Sequence, residues 1–149
     1  MQRIGRFIRD RPGPRAVQHG DYRLDNMLFG TSEGGYPLAV VDWQTVVWGP
    51  PAFDASYFLG AGLSVDDRRK AERELLRRYH EGLRAGGITD YGWDDLWRDY
   101  RRYAWGGFLM ALGASMMVVQ TPRGDDMFMT MIRRHGAQIA DLDAEEFLA

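Results

Sequence analysis

Three acceptor side chains stand at a spacing that suits the transfer of a phosphoryl group. Asp21 is followed five residues later by Asn26, and Asp42 comes sixteen residues after Asn26, beyond an apolar hairpin. Phosphoryl transfer asks little covalent chemistry of a protein, because it needs mainly a well-oriented acceptor hydroxyl and neutralisation of the developing charge. One Asp that receives the hydroxyl, with an Asn and a second Asp that hold Mg²⁺ on ATP, can carry that chemistry. The three residues therefore indicate a phosphoryl-transfer site.

Composition narrows the class of protein. With 149 residues, the chain suits a single domain, residues 1–149, that is large enough to bury a core. A formal net charge of −2 favours neither nucleic acid nor an anionic membrane as a partner. The sequence has no cysteine, which excludes disulfides and thiolate metal sites. No signal peptide is readable in the first residues, so we expect a cytoplasmic protein.

Short strands must position the three residues. We predict strands at 16–18 and 26–29, a turn at 31–35 and a third strand at 38–41. The third strand is apolar throughout, which is typical of a buried strand. The candidate site residues then fall on loops at strand ends, where a rigid scaffold commonly presents functional side chains.

Helices dominate the rest of the chain. The predicted helical segments are the tail of a helix at 1–9, one that starts at Ser64, and two more at 93–120 and 125–142. Proline and glycine at 11–14 break the first segment. Ser64 is a good N-cap, and glycines at 86 and 87 end that helix. A small strand unit followed by a helical block predicts an α+β fold that is mainly helical.

Two stretches invite a functional interpretation but favour a structural one. Residues 103–121 carry no charge, and we predict a buried central helix there rather than a membrane span, since glycines dilute the segment. The basic run at 68–78 is interleaved with acidic residues, which is typical of a solvated helix face. The methionines are expected to fill gaps in the core; they are Met110, Met116, Met117, Met127, Met129 and Met131.

These motifs together resemble the aminoglycoside phosphotransferase and choline kinase superfamily, which is related to protein kinases. The superfamily pattern HGDxxxxN matches residues 19–26, and its later D-[FW] matches residues 42–43. A third family segment is similar to residues 49–56. HGDYRLDNMLF looks like the phosphotransferase domains associated with acyl-CoA dehydrogenases, and VDWQ with the segment at 53–59 looks more like the ecdysteroid-kinase-like branch.

The resemblance implies a role for each matched residue. Asp21 would orient the acceptor hydroxyl and take its proton. Asn26 and Asp42 would bind Mg²⁺ on ATP with hard oxygen ligands. His19 would brace the loop against the segment around Asp42, and Asp54 would fix the loop through backbone amides.

Arg23 is a further candidate catalytic residue, inferred from its position alone. It lies two residues after Asp21, where a basic side chain can reach the transferred phosphoryl group. An ordinary surface charge is the alternative.

The resemblance covers the large, carboxyl-terminal lobe of a kinase. Related kinases carry a small lobe before the HGD motif, with a phosphate-covering loop and a lysine, whereas eighteen residues without lysine precede His19 here. Lys70 is the one lysine in the sequence. We therefore expect the small lobe to be absent, and the isolated chain to bind MgATP weakly. Residues 15–60 would hold the catalytic loop, hairpin and metal segment, and residues 64–142 a helical acceptor-side subdomain.

Two functions remain open from the sequence. The first is an ATP-dependent transfer of phosphate to a small-molecule hydroxyl, by this chain or by an enzyme of which it is the catalytic lobe. The second is a non-catalytic, kinase-like remnant that binds a partner or pairs with itself as a homodimer. Two explanations for the missing small lobe stay open: another chain supplies it, or Met1 is not the true start. The identity of the acceptor is not encoded in these motifs.

Overall fold

The computed structural model describes Gly5, Phe7 and residues 13–148. Of the helix tail expected at 1–9 and the break expected at 11–14, the structure describes Gly5, Phe7 and residues 13–14. The other positions of both segments lie outside the described residues.

The strands of the described residues form two antiparallel pairs. The strands are β1 (Ala16–Gln18), β2 (Met27–Thr31), β3 (Gly34–Val40) and β4 (Val47–Gly49). β1 pairs with β4, and β2 pairs with β3 through a tight turn. Residues 19–26 connect β1 to β2, so a strand pair fixes each end of this segment. The sequence prediction missed β4.

The prediction of a buried third strand is wrong. β3 begins four residues earlier than expected, and five of its seven residues are exposed. Phe29 on β2 and Leu38 on β3 face each other in the pairing and keep 62% and 43% of their surface exposed. The β2–β3 hairpin therefore projects from the helical part of the chain and presents apolar side chains to its surroundings.

Four α-helices are fully contained in residues 13–148. They are α1 (Pro51–Gly62), α2 (Val65–Ala85), α3 (Trp93–Met117) and α4 (Pro122–Asp141). The sequence prediction missed α1 and started the helical block at Ser64. Its other two helices were right in position, although α3 ends three residues before Gln120 and α4 begins three residues before Asp125.

The predicted ends of α2 are confirmed. The Ser64 hydroxyl accepts a hydrogen bond from the Asp67 backbone amide at 3.2 Å, which satisfies a free donor of the first turn. The helix ends at Ala85, immediately before the two glycines.

α1 is the central element of the helical part. It packs against both α3 and α4, and its Ala52 is fully buried with Leu96 and Tyr103 of α3. Tyr57 of α1 packs with Met131 of α4 in a neighbouring cluster. A helix held on several sides gives side chains that project from it a fixed position, which is important for the site described below.

The carboxyl-terminal end of α3 departs from the expected buried helix. Tyr103 and Ala111 are buried, but Met116 and Met117 expose 80% and 87% of their surface. The methionines therefore fill core gaps only in part, with Met131 the buried one among those predicted to do so. Among the described residues, no helix is long and apolar enough to cross a membrane.

The basic run at 68–78 is not solvated along its whole length. Arg68 is 1% exposed and donates to Glu72 at 2.6 Å and to Asp141 of α4. Tyr100 of α3 also donates to Glu72, at 2.8 Å. The buried Arg68–Glu72 pair of α2 thus bonds to α4 through Arg68 and to α3 through Glu72. The prediction of a fully solvated face is wrong for these two residues. The α+β, mainly helical architecture itself is confirmed.

Candidate active site

The loop of residues 19–26, called the HGD loop below, is anchored on α1 by one carboxylate. Asp54 accepts hydrogen bonds from the backbone amides of His19 at 2.6 Å and Gly20 at 3.0 Å. Burial raises the pKa of Asp54, and the two amide bonds oppose that shift by stabilising the ionised form. The sequence-predicted support residue Asp54 therefore lies where it fixes the start of the HGD loop to the central helix.

His19 connects the HGD loop to the segment before Asp42. Its Nε2 lies 2.9 Å from the Val41 carbonyl oxygen, and its Nδ1 lies 3.2 Å from the Asp21 backbone nitrogen. A carbonyl only accepts and an amide only donates, so the neutral tautomer with hydrogen on Nε2 satisfies both contacts. With both ring nitrogens engaged and 1% of its surface exposed, His19 holds the loop in place rather than offering a free base.

Gly20 is required by the close approach of a second segment. Its φ of 86° lies in the left-handed region, and an added Cβ would stand 2.7 Å from the Thr45 carbonyl oxygen. The Thr45 hydroxyl donates to the His19 carbonyl at 2.7 Å. The HGD loop and the turn at 43–45 are thus packed backbone to backbone.

Asp21 and Asn26 are in direct contact. The Asn26 side-chain amide nitrogen donates to the Asp21 carbonyl at 2.8 Å and to the Asp21 carboxylate at 3.0 Å. Both partners are acceptors, which assigns the nitrogen of the Asn26 amide to this side. Its oxygen Oδ1 consequently points away from Asp21 and is available as a ligand.

The hairpin brings Asp42 to the same end as Asn26. The Val41 amide donates to the Asn26 carbonyl at 3.0 Å, next to the first strand pair, Met27 with Val40. Asp42 then turns the chain away with φ 64° and ψ 54°, a left-handed conformation that Asp tolerates better than most residues. Its side chain is exposed and does not cap the turn of residues 43–45 that follows.

Arg23 contacts the candidate base itself. Its Nε lies 3.2 Å from Asp21 Oδ2, and its Nη1 lies 3.0 Å from Asp25 Oδ2. The same Nη1 contacts the sulfur of Met127 on α4 at 3.0 Å. Arg23 therefore links the HGD loop to α4. Its Nη2 makes no hydrogen bond or ion pair within residues 13–148.

Tyr57 is the residue that sequence reasoning missed. Its hydroxyl donates to Asp21 Oδ1 at 2.8 Å, and 3% of its surface is exposed. Tyr57 lies three residues after Asp54, so the two project from the same face of α1 toward the HGD loop. That i, i+3 spacing was a usable signal, but it has meaning only once the segment is assigned as a helix.

Asn26 and Asp42 form a donor set that fits a hard divalent cation, provided that the cation takes its other ligands from phosphate and water. Among the described residues there is no cluster of three or more His, Cys, Asp or Glu side chains able to enclose a metal. Asn26 and Asp42 would supply two oxygens, and Mg²⁺ commonly takes few protein ligands and completes its shell with phosphates and water. The outward Asn26 oxygen and the exposed Asp42 carboxylate suit that arrangement.

A cavity of about 300 Å³ opens beside the HGD loop. It lies between that loop and the first half of α4, with the carboxyl end of α1 as a third wall. Its charged lining residues are Arg23, Asp25, Asp126 and Arg134, and its apolar ones include Leu24, Met127 and Met131. Two cations and two anions leave the lining formally neutral.

Comparisons with known proteins identify the family of the chain. Residues 2–104, more than half of the chain, match the sequence profile of the phosphotransferase enzyme family. An uncharacterised kinase-like protein of Caenorhabditis elegans is 31% identical over 91 residues, which cover 60% of this chain and 24% of that protein. The chain thus aligns with about a quarter of this curated relative. No solved structure matches the chain significantly.

Proposed function

Because the chain belongs to the phosphotransferase enzyme family, we propose that it transfers the γ-phosphoryl group of ATP to the hydroxyl of a small molecule. One observation carries the proposal: the Asn26 amide bonds to Asp21 on one side, while the Asn26 backbone bonds to the residue before Asp42 on the other. A candidate base and two candidate metal ligands thereby share one end of the hairpin.

Asp21 is the proposed base. Its carboxylate would accept the hydrogen bond of the incoming hydroxyl, orient it, and take its proton as the new bond to phosphorus forms. Contacts from Asn26, Arg23 and Tyr57 fix the carboxylate before any substrate is present. Orientation of this kind accounts for a large share of the rate that phosphotransferases achieve.

Asn26 and Asp42 are the proposed holders of Mg²⁺. The ion, when bound with ATP, would neutralise charge on the phosphate oxygens. The task of the chain is to present the Asn26 oxygen and the Asp42 carboxylate on rigid backbone. The strand pairing of Met27 with Val40 and the bracing by His19 serve that purpose.

Arg23 is proposed to contact the transferred phosphoryl group. Its present bonds to Asp21 and Asp25 use Nε and Nη1, and a guanidinium carries two further donors on Nη2. Those donors can meet a phosphate oxygen without release of Asp21.

The acceptor is proposed to occupy the cavity beside the HGD loop. A volume of about 300 Å³ is at the small end of the range for ligand pockets. The neutral balance of Arg23, Asp25, Asp126 and Arg134 favours an acceptor without net charge over a polycation such as an aminoglycoside.

A second candidate function is binding without catalysis. The exposed apolar hairpin favours it, because Leu28, Phe29 and Tyr36 expose 58%, 62% and 84% of their surface. Sedimentation over a range of concentrations would detect self-association through this hairpin, and a Phe29→Glu variant should weaken it. Catalysis remains the better-supported proposal, since a binding module needs no aligned Asp21, Asn26 and Asp42.

The experiment that tests catalysis is a radiolabel transfer assay. The chain is incubated with Mg²⁺ and γ-labelled ATP against a panel of neutral alcohols, and label in each alcohol is measured. We expect Asp21→Asn to lose transfer while keeping its thermal unfolding transition, and the exposed-loop control Asp90→Asn to retain transfer. Equal transfer by Asp21→Asn and the unaltered chain would exclude Asp21 as the base.

A further inference from the structure

We propose that Tyr57 is a positioning residue of the site, which orients the Asp21 carboxylate so that Oδ1 receives the acceptor's proton. This inference rests on the phosphoryl transfer proposed above. Tyr57 lies in the segment at 53–59 that resembles the ecdysteroid-kinase-like branch, but the sequence assigned it no role.

The lone pairs of Asp21 determine which of its oxygens can accept a further hydrogen bond. Each oxygen of an ionised carboxylate offers two acceptor positions. Oδ2 accepts from Asn26 Nδ2 at 3.0 Å and from Arg23 Nε at 3.2 Å, so both of its positions are occupied. Oδ1 accepts from the Tyr57 hydroxyl at 2.8 Å, which leaves one position open. An incoming hydroxyl therefore meets its free acceptor at Oδ1.

Tyr57 must be the donor in this contact. Burial and the nearby charge of Asp21 raise the pKa of the Tyr57 hydroxyl well above its ordinary value, so it stays protonated near neutral pH. An ionised Asp21 oxygen can only accept. The hydroxyl proton of Tyr57 consequently points at Oδ1 and fixes which of its lone pairs remains free.

The ring of Tyr57 is held rigidly by the helical core. It stacks on Phe53 with 6.1 Å between centroids and lies against the His135 ring at 5.6 Å. His135 in turn is packed onto Gly60 and Gly107, where an added Cβ would stand 2.4 Å and 2.2 Å, respectively, from the His135 ring. Three helices thus determine where the Tyr57 hydroxyl stands, and through it the rotation of the Asp21 carboxylate.

The proposed step moves one phosphoryl group and one proton. A lone pair of the acceptor oxygen forms the bond to the γ-phosphorus of a nucleoside triphosphate. The bond from that phosphorus to the β–γ bridging oxygen breaks, and the bridging oxygen leaves with the nucleoside diphosphate. The hydroxyl proton of the acceptor passes to Asp21 Oδ1, while Tyr57 keeps its own proton throughout.

The kinetic test compares two substitutions that each remove one buried tyrosine hydroxyl. Tyr57→Phe removes the bond to Asp21, and Tyr91→Phe removes a bond of the same length, 2.8 Å, from a buried tyrosine to Asp99, away from the HGD loop. The probe is basal MgATP hydrolysis, in which water replaces the acceptor hydroxyl. We expect Tyr57→Phe to lower kcat roughly 10- to 100-fold with KM for MgATP nearly unchanged, and Tyr91→Phe to leave kcat unchanged. An unaltered kcat in Tyr57→Phe, or the same loss in both variants, would overturn the proposal.

A second measurement does not need activity. Proton NMR of the unaltered chain should show a Tyr57 hydroxyl signal protected from solvent exchange, because the group is buried and bonded. The signal should be missing in Tyr57→Phe and should move in Asp21→Asn. If the chain hydrolyses no MgATP, the proposed function fails while this signal still decides the positioning role. Absence of a protected Tyr57 hydroxyl, or its indifference to Asp21→Asn, would contradict that role.

Discussion

The backbone amide of His19 lies 2.6 Å from the carboxylate of Asp54. The two residues are 35 positions apart in sequence, and their bond attaches the HGD loop to the most enclosed helix of the described residues. The same carboxylate also holds the amide of Gly20. The position of the candidate base, Asp21, therefore depends on Asp54, which is not one of the three candidate phosphoryl-transfer residues.

Asp54→Asn tests this anchoring. The substitution replaces one acceptor oxygen by an NH₂ group that faces a backbone N–H, so one buried donor loses its partner. We expect a loss of about 1–3 kcal/mol in the free energy of unfolding, measured by urea denaturation. Phosphoryl transfer should fall as well, since Asp21 is no longer fixed. The control Asp90→Asn, at an exposed loop position, should change neither quantity; equal stability of the two variants would disprove the anchoring role.

The buried ion pair of α2 supports a second prediction. Arg68→Leu leaves Glu72 buried without its cation, and we expect it to destabilise the fold by about 3–5 kcal/mol. The neighbouring Arg69→Leu is the matched control, because Arg69 also bonds to Asp141 but has a 52% exposed side chain, so it should destabilise the fold far less.

A double variant separates charge burial from packing. Adding Glu72→Gln to Arg68→Leu removes the uncompensated charge, so part of the lost unfolding free energy should return. If Arg68→Leu and Arg69→Leu cost the same in denaturant titrations, the Arg68–Glu72 pair is solvated in solution.

The titration of His135 predicts how stability depends on pH. Burial lowers the pKa of His135 from its ordinary 6.5 to about 4, with a smaller contribution from the charge of Arg68. The unfolded chain then binds a proton at higher pH than the folded chain does, so stability is full above the ordinary pKa and falls as pH drops toward 4. The difference of pKa values corresponds to a loss of about 3 kcal/mol over this window.

The measurement compares the unaltered chain with His135→Gln between about pH 7 and about pH 4.5. Gln cannot titrate, so its curve of unfolding free energy against pH should be flatter than that of the unaltered chain. Titrations of Asp54 and Asp99, whose pKa values burial raises, occur in both proteins and cancel in the comparison. Parallel curves for the two proteins would show that His135 is not buried in its neutral form.

Local sequence signals predicted the features that depend on short spacings. The spacing of Asp21, Asn26 and Asp42 indicated a candidate site, whose residues stay a prediction, and the Ser64 cap with glycines 86 and 87 gave the bounds of α2. No secondary structure was predicted for the segment of α1, although Pro51 at its first position is well tolerated in the first turn of a helix. Without α1, the alignment of Tyr57 with Asp54 on one helical face was invisible.

Features that depend on distant partners could not be predicted. Arg68 is buried because Asp141, 73 residues later, lies beside it, and no local pattern reports such a neighbour. The same reason explains β3 and the end of α3: an apolar run predicts burial only when another surface packs on it. In the described residues, such a surface is missing for Leu28 and for Met117.

Paramagnetic broadening of backbone NMR signals by Mn²⁺ would locate the proposed metal site on the chain. Mn²⁺ also prefers oxygen ligands and can replace Mg²⁺ on ATP, so small amounts of MnATP report where the ion sits even when binding is weak. We predict that the amide signals of Asn26 and Asp42 broaden first, that Asp21 follows, and that Asp42→Asn abolishes the effect. Broadening that centres on another part of the chain, or that persists unchanged in Asp42→Asn, would contradict a phosphoryl-transfer site at the end of the hairpin.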